Sequence, residues 1–370
     1  MTRARENANI SPAVGRNMII NGAMNVAARS SSVAGIGAAD GYFTVDRVNF
    51  AQATNAGRLT MSQTADGPNG ISANCLKLDC TTVDTSIAAD EAALLQWKLE
   101  GQNLQRIGKG VAGAKQLAVS FYVKGNASAT YTCELFDNDN GRCNGQTFAV
   151  TTDWTRVELI FPADEDDGSS PLDDDNAWSF SINIWIHAGA TYTGGTFTNG
   201  TWANSSSANI RVGSQSSFYS STDNNFFITG VQMEVGPVAT DFEQEDISVT
   251  QNKCFRYFRK FGSDGDQNYI PVSEMGATQD NYRTRANYLL SPVMRATPSL
   301  SFSTLQVNVL RSSGGSNAVT SVALAGQEAG GAGLSTFFHT AEISGQAVGQ
   351  TAFARVSNSD SGYLFFDAEL

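Results

Sequence analysis

The sequence predicts an all-β protein: a jelly-roll-like β-sandwich, then a short helical connector and a second, small β-domain. Composition is the first observation behind this prediction, because 41% of the 370 residues are hydrophobic, only 16% are charged, and 35 are glycine. Globular chains are usually about 25% charged, and this mixture is typical of many short strands joined by tight turns. The second observation is that apolar side chains recur at every second position in several segments, as in a strand with one buried side.

The β-sandwich is predicted over residues 17–245. Its clearest strands contain sets of alternate residues that share one face: Leu117, Val119, Phe121 and Val123; Phe180, Ile182, Ile184 and Ile186; and Phe227, Thr229, Val231, Met233 and Val235. The last strand should end at Gly236-Pro237, because proline cannot donate to a β-ladder and glycine permits a sharp turn. Between the strands lie turn sequences such as residues 137–141, in which Asp, Asn and Gly tolerate left-handed conformations.

Helical structure is predicted in few places. Residues 88–98 form the best helical window, with Asp90 as a possible cap, but Leu94, Leu95 and Trp97 could equally begin a strand. Residues 246–262 combine aromatic and basic side chains and are expected to form a connector containing a short helix. Residues 263–370 are expected to form the second β-domain.

The charge distribution argues against nucleic-acid binding. The formal net charge is −12, whereas binding to a phosphate backbone requires an excess of lysine and arginine. The sequence begins without an apolar signal core and contains no apolar run long enough to span a bilayer. We therefore expect neither membrane insertion nor export through a signal peptide.

The five cysteines do not form a recognisable metal site. Their spacings contain no CxxC pair, and no second Cys or His cluster completes a zinc site. We expect mostly reduced thiols, although a Cys75–Cys80 or a Cys133–Cys143 disulfide remains open.

No catalytic motif is present in the sequence. The chain has two histidines, His187 and His339, and neither lies in a motif for nucleophilic catalysis. The acidic runs at 164–167 and 173–175 are typical of solvated loops rather than of paired glycosidase carboxylates. Calcium is the better functional alternative for these runs, but no metal site and no cofactor is predicted.

The best candidates for ligand binding lie on and after the strand that contains the isoleucines. Because Ile182, Ile184 and Ile186 share one face, Asn183, Trp185 and His187 should point the other way, toward solvent, a partner or a ligand. An indole beside polar groups is what stacking on a sugar requires. Trp202, in the long polar segment that follows, is the next candidate. Packing against other parts of the protein is the alternative for all four residues.

Several segments are more specific than a strand pattern. They are residues 17–26 (NMIINGAMNV), 41–48 (GYFTVDRV), 99–104 (LEGQNL), 117–124 (LAVSFYVK), Trp154 with the strand after it, 230–236 (GVQMEVG), 239–243 (ATDFE) and 254–258 (CFRYF). In this order they resemble landmarks of a β-sandwich, similar to carbohydrate-binding modules, in phage tail-fibre and appendage proteins. Residues 291–298 (SPVMRATP) and the final Ala-Glu-Leu resemble elements that follow this sandwich in such proteins.

The resemblance implies a non-catalytic virion protein of the phage tail or capsid, made in the bacterial cytoplasm. It implies a homotrimer that attaches to other virion proteins through an N-terminal arm, residues 1–16, and contacts host-surface glycan. Three linked sites can raise avidity by about 10²–10⁴. We predict an oligomer interface that involves Phe255, Tyr257 and Phe258 of the connector.

Two other functions remain open. One is a purely structural decoration protein of the capsid or tail, without a ligand. The other is a polysaccharide depolymerase, although the β-helix repeats usual in large tailspike depolymerases are not seen in the sequence.

Overall fold

The computed structural model describes residues 15–166, 168–206, 210–262, 270–280, 282–310, 315–327, 333–340, 348–357 and 362–370. The predicted N-terminal arm lies outside the described residues except for Gly15 and Arg16. The chain divides into two compact units. Unit 1 comprises the residues up to Thr250 together with Leu370, and unit 2 comprises Gln251–Glu369.

Unit 1 contains two antiparallel sheets, as the all-β prediction requires. The six-stranded sheet has the order β1-β4-β5-β13-β7-β10, and the seven-stranded sheet has the order β12-β9-β8-β11-β6-β3-β2. The strands are β1 Ser32–Ile36, β2 Gly41–Tyr42, β3 Asn49–Ala53, β4 Arg58–Thr64, β5 Cys75–Thr82, β6 Ala92–Glu100, β7 Leu117–Gly125, β8 Ala129–Asp137, β9 Arg142–Val150, β10 Thr155–Phe161, β11 Trp178–Ala188, β12 Ala203–Asn204 and β13 Asn225–Val235.

Short helical turns connect some of these strands. They are the 3-10 helices Gly101–Asn103, Gln105–Ile107 and Phe218–Ser220 and the one-turn helix α1 Ala190–Thr193. The longer helix α2, Ile247–Phe255, follows the sandwich. Among the described residues, no helix has the length and apolar character needed to cross a membrane.

The core of unit 1 lies between the inner faces of the two sheets. Ile182, Ile184 and Ile186 of β11 are fully buried there, opposite Val119 and Phe121 of β7 in the same cluster. The buried face predicted for each of these two strands is therefore confirmed. Burial of an aliphatic or aromatic side chain stabilises the fold by about 1.5–3 kcal/mol, so this cluster is the main source of stability for the sandwich.

The predicted face of β13 is correct for only part of the strand. A register shift between Thr229 and Gln232 breaks the pairing with β7, and Gly230 at the shift has a φ of 62°, which favours glycine. Because an inserted residue reverses the alternation, Phe226 rather than Phe227 is buried in the core before the shift, whereas Val231 is buried after it.

The landmark segments at the two ends of the sandwich form a set of hydrogen bonds, which we call the terminal clamp: Asn17, Glu234, Thr240 and Glu243. Glu243 accepts hydrogen bonds from the backbone N–H groups of Gly15 and Asn17, both at 2.7 Å. Asn17 in turn accepts from Met233 N–H at 3.1 Å. Glu234 accepts from the backbone N–H of Thr240 at 2.8 Å. The segments that carry the resemblance therefore include residues that hold the first and last parts of the sandwich together.

Two predicted helical regions differ from the structure. The window 88–98 mostly forms β6, Ala92–Glu100, with Leu95 and Trp97 in the core. The apolar residues thus follow the strand alternative. The connector 246–262 contains α2, but its last part forms β14, Phe258–Gly262, which pairs with β22, Tyr363–Asp367, in unit 2. The basic and aromatic residues at 258–260 therefore belong to a strand.

Unit 2 combines a three-stranded sheet with a closed barrel. The sheet has the order β14-β22-β17, with β17 at Ser299–Ser303. The barrel has the order β15-β16-β20-β19-β18-β21, from β15 Gly276–Thr278, β16 Arg283–Leu289, β18 Leu305–Val309, β19 Gly315–Gln327, β20 Gly333–Thr340 and β21 Thr351–Val356. In β16 the side chains of Thr284, Ala286 and Tyr288 are buried while their neighbours are exposed, as alternation requires.

Two of the three residues predicted for the oligomer interface are not on the surface of the single chain. Tyr257 and Phe258 are buried within the single chain, and the Phe258 ring meets Phe365 edge-on with the ring centroids 5.0 Å apart. Phe258 begins β14, which is paired with β22, and Tyr257 lies in the turn immediately before that strand. Phe255 is half-buried, with the Arg259 guanidinium 5.1 Å from its ring centroid. The homotrimer itself stays a prediction.

Candidate functional site: a groove on the seven-stranded sheet

The outer face of the seven-stranded sheet is partly covered by residues 189–217, which we call the covering segment and of which 207–209 lie outside the described residues. Its attachment has an apolar part, in which Val212 packs with Leu94 and Trp185. It also has a hydrogen-bonded part, in which the backbone N–H of Gly213 donates to Thr132 Oγ1 at 3.3 Å. The covering segment therefore buries much of a face that would otherwise be exposed.

Glu134 of β8 is the centre of a buried polar network on this face. Its carboxylate accepts two hydrogen bonds from Arg211, Nε to Oε1 at 2.6 Å and Nη2 to Oε2 at 2.8 Å. It also accepts from Asn183 Nδ2 at 2.8 Å and from Trp185 Nε1 at 2.9 Å. Gln96 extends the network by donating to Asn183 Oδ1 at 3.1 Å. Each of these side chains has a hydrogen-bond partner within the network, which makes this part of the sheet surface rigid.

The electrostatics of the network favour a charged arginine. Burial alone would lower the pKa of Arg211, but the charge and the hydrogen bonds of Glu134 raise the pKa above the ordinary arginine value. Two charges that pair in this way present little net charge to a ligand above them.

Beside the covering segment the face remains open as a groove with a volume of about 270 Å³. The groove is lined by Ala51, Gln52, Ala53, Ala92, Leu94, Gln96, Phe136, Asn138, Trp178, Trp185, Tyr192 and Arg211. Apolar and aromatic surfaces thus alternate with amide and guanidinium donors. None of these described lining residues is a carboxylic acid.

The aromatic side chains form two pairs at the two ends of β11. Trp178 and Phe136 lie with their ring centroids 6.0 Å apart, and Trp185 and Tyr192 lie 5.0 Å apart. The Arg211 guanidinium lies between the pairs, 4.6 Å from the Phe136 centroid and 5.2 Å from that of Trp185. By these two distances the Phe136 and Trp185 rings lie within about 10 Å of each other, so the guanidinium is flanked by an aromatic ring on each side.

The four predicted ligand residues are not brought together. Asn183 and Trp185 do lie on the outer face, but Asn183 is fully buried and Trp185 is only 2% exposed, because the covering segment lies over them. Asn183 is therefore not a surface residue, and its amide is used within the network. Trp185 lines the groove, mainly as part of its floor.

His187 lies on the other side of the sheet. A register shift between Trp185 and His187 places His187 opposite Ala93, whose side chain belongs to the core cluster. The bulge breaks the alternation on which the prediction depended. His187 is fully buried, with Glu91 Oε2 at 3.0 Å from Nε2 and Ser217 Oγ at 2.8 Å from Nδ1.

Trp202 does not line the groove. It is half-buried and packs against the core cluster, and its Nε1 donates to the carbonyl of Pro162 at 2.8 Å. Of the twelve lining residues, Trp185 alone was selected from the sequence, and Trp178, Tyr192 and Arg211 are the important ones that the sequence analysis missed. Trp178 and Tyr192 could have been considered from their residue type alone. Arg211 had no signal in the sequence, because its partner Glu134 is 77 residues away.

The first acidic run is used in ion pairing. Asp164 accepts from Arg142 through Nε at 2.8 Å and Nη2 at 2.7 Å, and Lys109 Nζ lies 2.9 Å from it. Lys109 also pairs with Asp137. Asp164 is thus already neutralised by two cations, which argues against the calcium alternative at this residue. Asp167 lies outside the described residues.

Comparisons with known proteins give similarity in structure alone. No family model and no curated protein matches the sequence. The enzymatically active domain of tailspike protein 4 from bacteriophage CBA120 is similar over 60% of this chain and 22% of that chain, with 11% identity and a TM-score of 0.31. This chain thus matches about a fifth of that domain's length.

Carbohydrate-binding modules are also among the similar structures. A family 4 module matches over 59% of this chain and 99% of that chain, with 10% identity and a TM-score of 0.30. A family 61 module, solved with β-1,4-galactotriose, matches over 60% of this chain and all of its own, with 10% identity and a TM-score of 0.30. At these identities and TM-scores the similarities carry no argument about the ligand, so the argument rests on the groove.

Proposed function

We propose that unit 1 binds a saccharide chain in the groove, without catalysis, and that the protein is a homotrimeric fibre or appendage component of a phage virion that contacts host-surface glycan. The observation that carries the binding function is an open groove lined by two half-buried rings, Trp178 and Tyr192, together with amide and guanidinium donors. Aromatic faces suit the apolar faces of sugar rings, and the donors suit their hydroxyl groups.

The lining residues also favour binding over hydrolysis. Glycosidases hold a pair of carboxyl groups on either side of the bond that is cleaved. The carboxylate bonded to the groove residues Trp185 and Arg211 is Glu134, which is fully buried and already accepts four hydrogen bonds. It is therefore a structural group beneath the floor rather than an acid or base at the surface.

The assignment to a phage virion is supported by the ordered landmark segments, and the trimer is part of the same proposal. Multi-angle light scattering on the full chain at micromolar concentration tests the trimer. We expect three times the 39.3 kDa chain mass, and a stable monomer contradicts this part of the proposal.

Saccharide binding is tested on an array of bacterial surface polysaccharides, followed by calorimetric titration with the best ligand. Trp178→Ala should weaken binding roughly tenfold, which is the loss of one stacked ring. Trp154→Ala is the matched control, because Trp154 is also half-buried but packs against Phe227 of the six-stranded sheet. Equal effects of the two substitutions contradict a site in the groove.

Two further outcomes separate the alternatives. Release of new reducing ends from a bound polysaccharide would show a depolymerase. Failure to bind both the array and intact host cells would favour a structural decoration protein.

A further inference from the structure

Three ionisable side chains from distant segments meet at one edge of the sandwich. Asp84 follows β5, Glu91 precedes β6, and His187 lies near the end of β11. Each offers one ligand atom, and these atoms all lie within 4.8 Å of one another. All three side chains are buried, with Asp84 6% exposed, Glu91 5% exposed and His187 fully buried. This cluster is not part of the groove.

The two carboxylates of the cluster share a single imidazole as their direct partner. In the described part of the chain, no lysine or arginine forms an ion pair with Asp84 or Glu91. The ion-pair contact within the cluster joins His187 Nε2 and Glu91 Oε2 at 3.0 Å. Asp84 Oδ2 accepts from the backbone N–H of Ala56 at 2.7 Å, which is a neutral donor. A protonated His187 can balance at most one carboxylate. Buried carboxylates are normally paired with cations or coordinate a metal, so the cluster has room for a further positive charge.

The surroundings hold the imidazole in the orientation that a metal ligand needs. Ser217 Oγ lies 2.8 Å from His187 Nδ1 and also accepts from the backbone N–H of Tyr219 at 3.2 Å. Histidine ligands usually donate their second ring N–H to such a group, which fixes the tautomer and directs the other nitrogen at the metal. Here the nitrogen so directed is Nε2, which faces the carboxylates.

The wall of the cluster is closed and aromatic. The Tyr219 ring meets His187 edge-on with the ring centroids 5.3 Å apart. The backbone carbonyl of Tyr219 accepts a hydrogen bond from the Asp84 N–H at 2.9 Å. Gly57 lies against this ring so closely that a Cβ there would be 2.4 Å from Cγ. The loop that carries Asp84 is therefore tied to the segment that carries Ser217.

We propose that Asp84, Glu91 and His187 bind one divalent transition-metal ion of the zinc class, through His187 Nε2 and one carboxylate oxygen from each acid. One nitrogen and two oxygen ligands suit Zn²⁺, with water in the remaining position, whereas Ca²⁺ prefers oxygen ligands alone. The metal replaces the hydrogen bond between His187 and Glu91, and any proton that they share is released to solvent.

The site would join the two ends of the covering segment. His187 lies just before that segment, and Ser217, the partner of His187, is its last residue. A bound metal would therefore stabilise the segment that supplies Tyr192 and Arg211 to the groove. The role is structural, since the described ligands are buried and leave little room for a substrate.

The experiment uses the full chain, made without a polyhistidine tag. The protein is stripped with a chelator, returned to buffer and titrated with Zn²⁺ by calorimetry, while thermal unfolding is followed at several Zn²⁺ concentrations. We expect one Zn²⁺ per chain and a melting temperature that rises with free Zn²⁺, because a ligand that binds the folded state stabilises it. A melting temperature indifferent to Zn²⁺, with no stoichiometric binding, overturns the proposal.

Substitutions locate the site. Glu91→Gln keeps the size of the side chain and a hydrogen bond to His187 but should abolish the Zn²⁺ dependence of melting. Ser217→Ala should weaken Zn²⁺ binding by about 10–100-fold, as is usual for loss of a group that orients a ligand. His339→Gln, at the other histidine of the chain, is the control and should bind Zn²⁺ like the parent protein. Binding that survives Glu91→Gln, or is lost in His339→Gln, shows adventitious zinc and overturns the assignment.

Discussion

Arg211 and Glu134 form a bidentate ion pair that ties the covering segment to the centre of the seven-stranded sheet, across 77 residues of sequence. The Glu134 side chain is fully buried, and the Arg211 side chain is 16% exposed. The pair fixes the guanidinium between the aromatic pairs of the groove, so the same contact supports both folding and the proposed binding surface.

Arg211→Ala should destabilise unit 1 by about 3–5 kcal/mol, because it leaves a buried carboxylate without its cation. Urea unfolding followed by tryptophan fluorescence measures this free energy. All five tryptophans lie in unit 1, so the signal reports on that unit. Asp79→Ala is the control, since it removes an exposed pair with Lys77 and should change stability by no more than about 1 kcal/mol. A similar small effect for Arg211→Ala would contradict the structural role of the pair.

Trp185→Ala should lower the stability of unit 1 by about 3–5 kcal/mol, as for other buried aromatic residues. Trp185→Phe should cost less, about 1–3 kcal/mol, because the ring remains and the bond from the indole to Glu134 is lost. The same urea experiment measures both. Trp178→Ala, at the half-buried end of the groove, should affect ligand binding more than stability. An unchanged unfolding midpoint for Trp185→Ala would show that the covering segment does not bury this side chain.

Asp164→Asn should destabilise the protein in a pH-dependent way. Burial would raise the pKa of Asp164, but hydrogen bonds and charges from Arg142 and Lys109 outweigh it, so the folded-state pKa lies below the ordinary value. Because the pKa is lowered on folding, the ionised Asp164 stabilises the folded state at pH values above the pKa of the unfolded chain, about 3.9. This stabilisation is lost as the pH falls through the pKa of the folded state. The difference in melting temperature between parent and variant should therefore be large at neutral pH and shrink below about pH 4. Asp223→Asn, at an exposed position, is the control for the substitution itself.

The cysteine thiols should be unreactive in the folded protein. All five cysteines are buried, and burial raises the pKa of Cys75, Cys80 and Cys133, and that of Cys143 to about 12. Because the thiolate is the reactive form, Ellman's reagent should react slowly under native conditions and titrate five thiols in urea. Reductant should leave the melting temperature unchanged. Fewer than five thiols in unreduced, unfolded protein would indicate a disulfide.

The strand faces that the sequence predicted correctly are those without an irregularity. Ile182 and Ile184 alternate with Ser181 and Asn183 over the regular part of β11, and their burial in the core follows directly. A β-bulge interrupts the alternation of buried and outward-facing side chains. This happens at Gly230 in β13 and between Trp185 and His187 in β11. A bulge depends on pairing with neighbouring strands, which the local pattern does not contain.

The candidate sites were harder to predict because their members are distant in sequence. The position of Trp185 on the outer face followed from alternation, but its burial depends on a segment that folds back over the sheet through Arg211 and Val212. Asp84, Glu91 and His187 have no motif spacing, since their proximity depends on the order of strands. Tertiary contacts of this kind carry no local signal.

The terminal clamp also makes unit 1 a closed module in the chain. Because Gly15 and Glu243 are hydrogen-bonded at 2.7 Å, the polypeptide enters and leaves the sandwich at one point. Adjacent ends of this kind allow a domain to be circularly permuted or inserted into a loop of another protein. A permuted unit 1, with residues 15 and 244 joined by a short linker and new ends opened in the turn at 138–141, should therefore keep its two sheets.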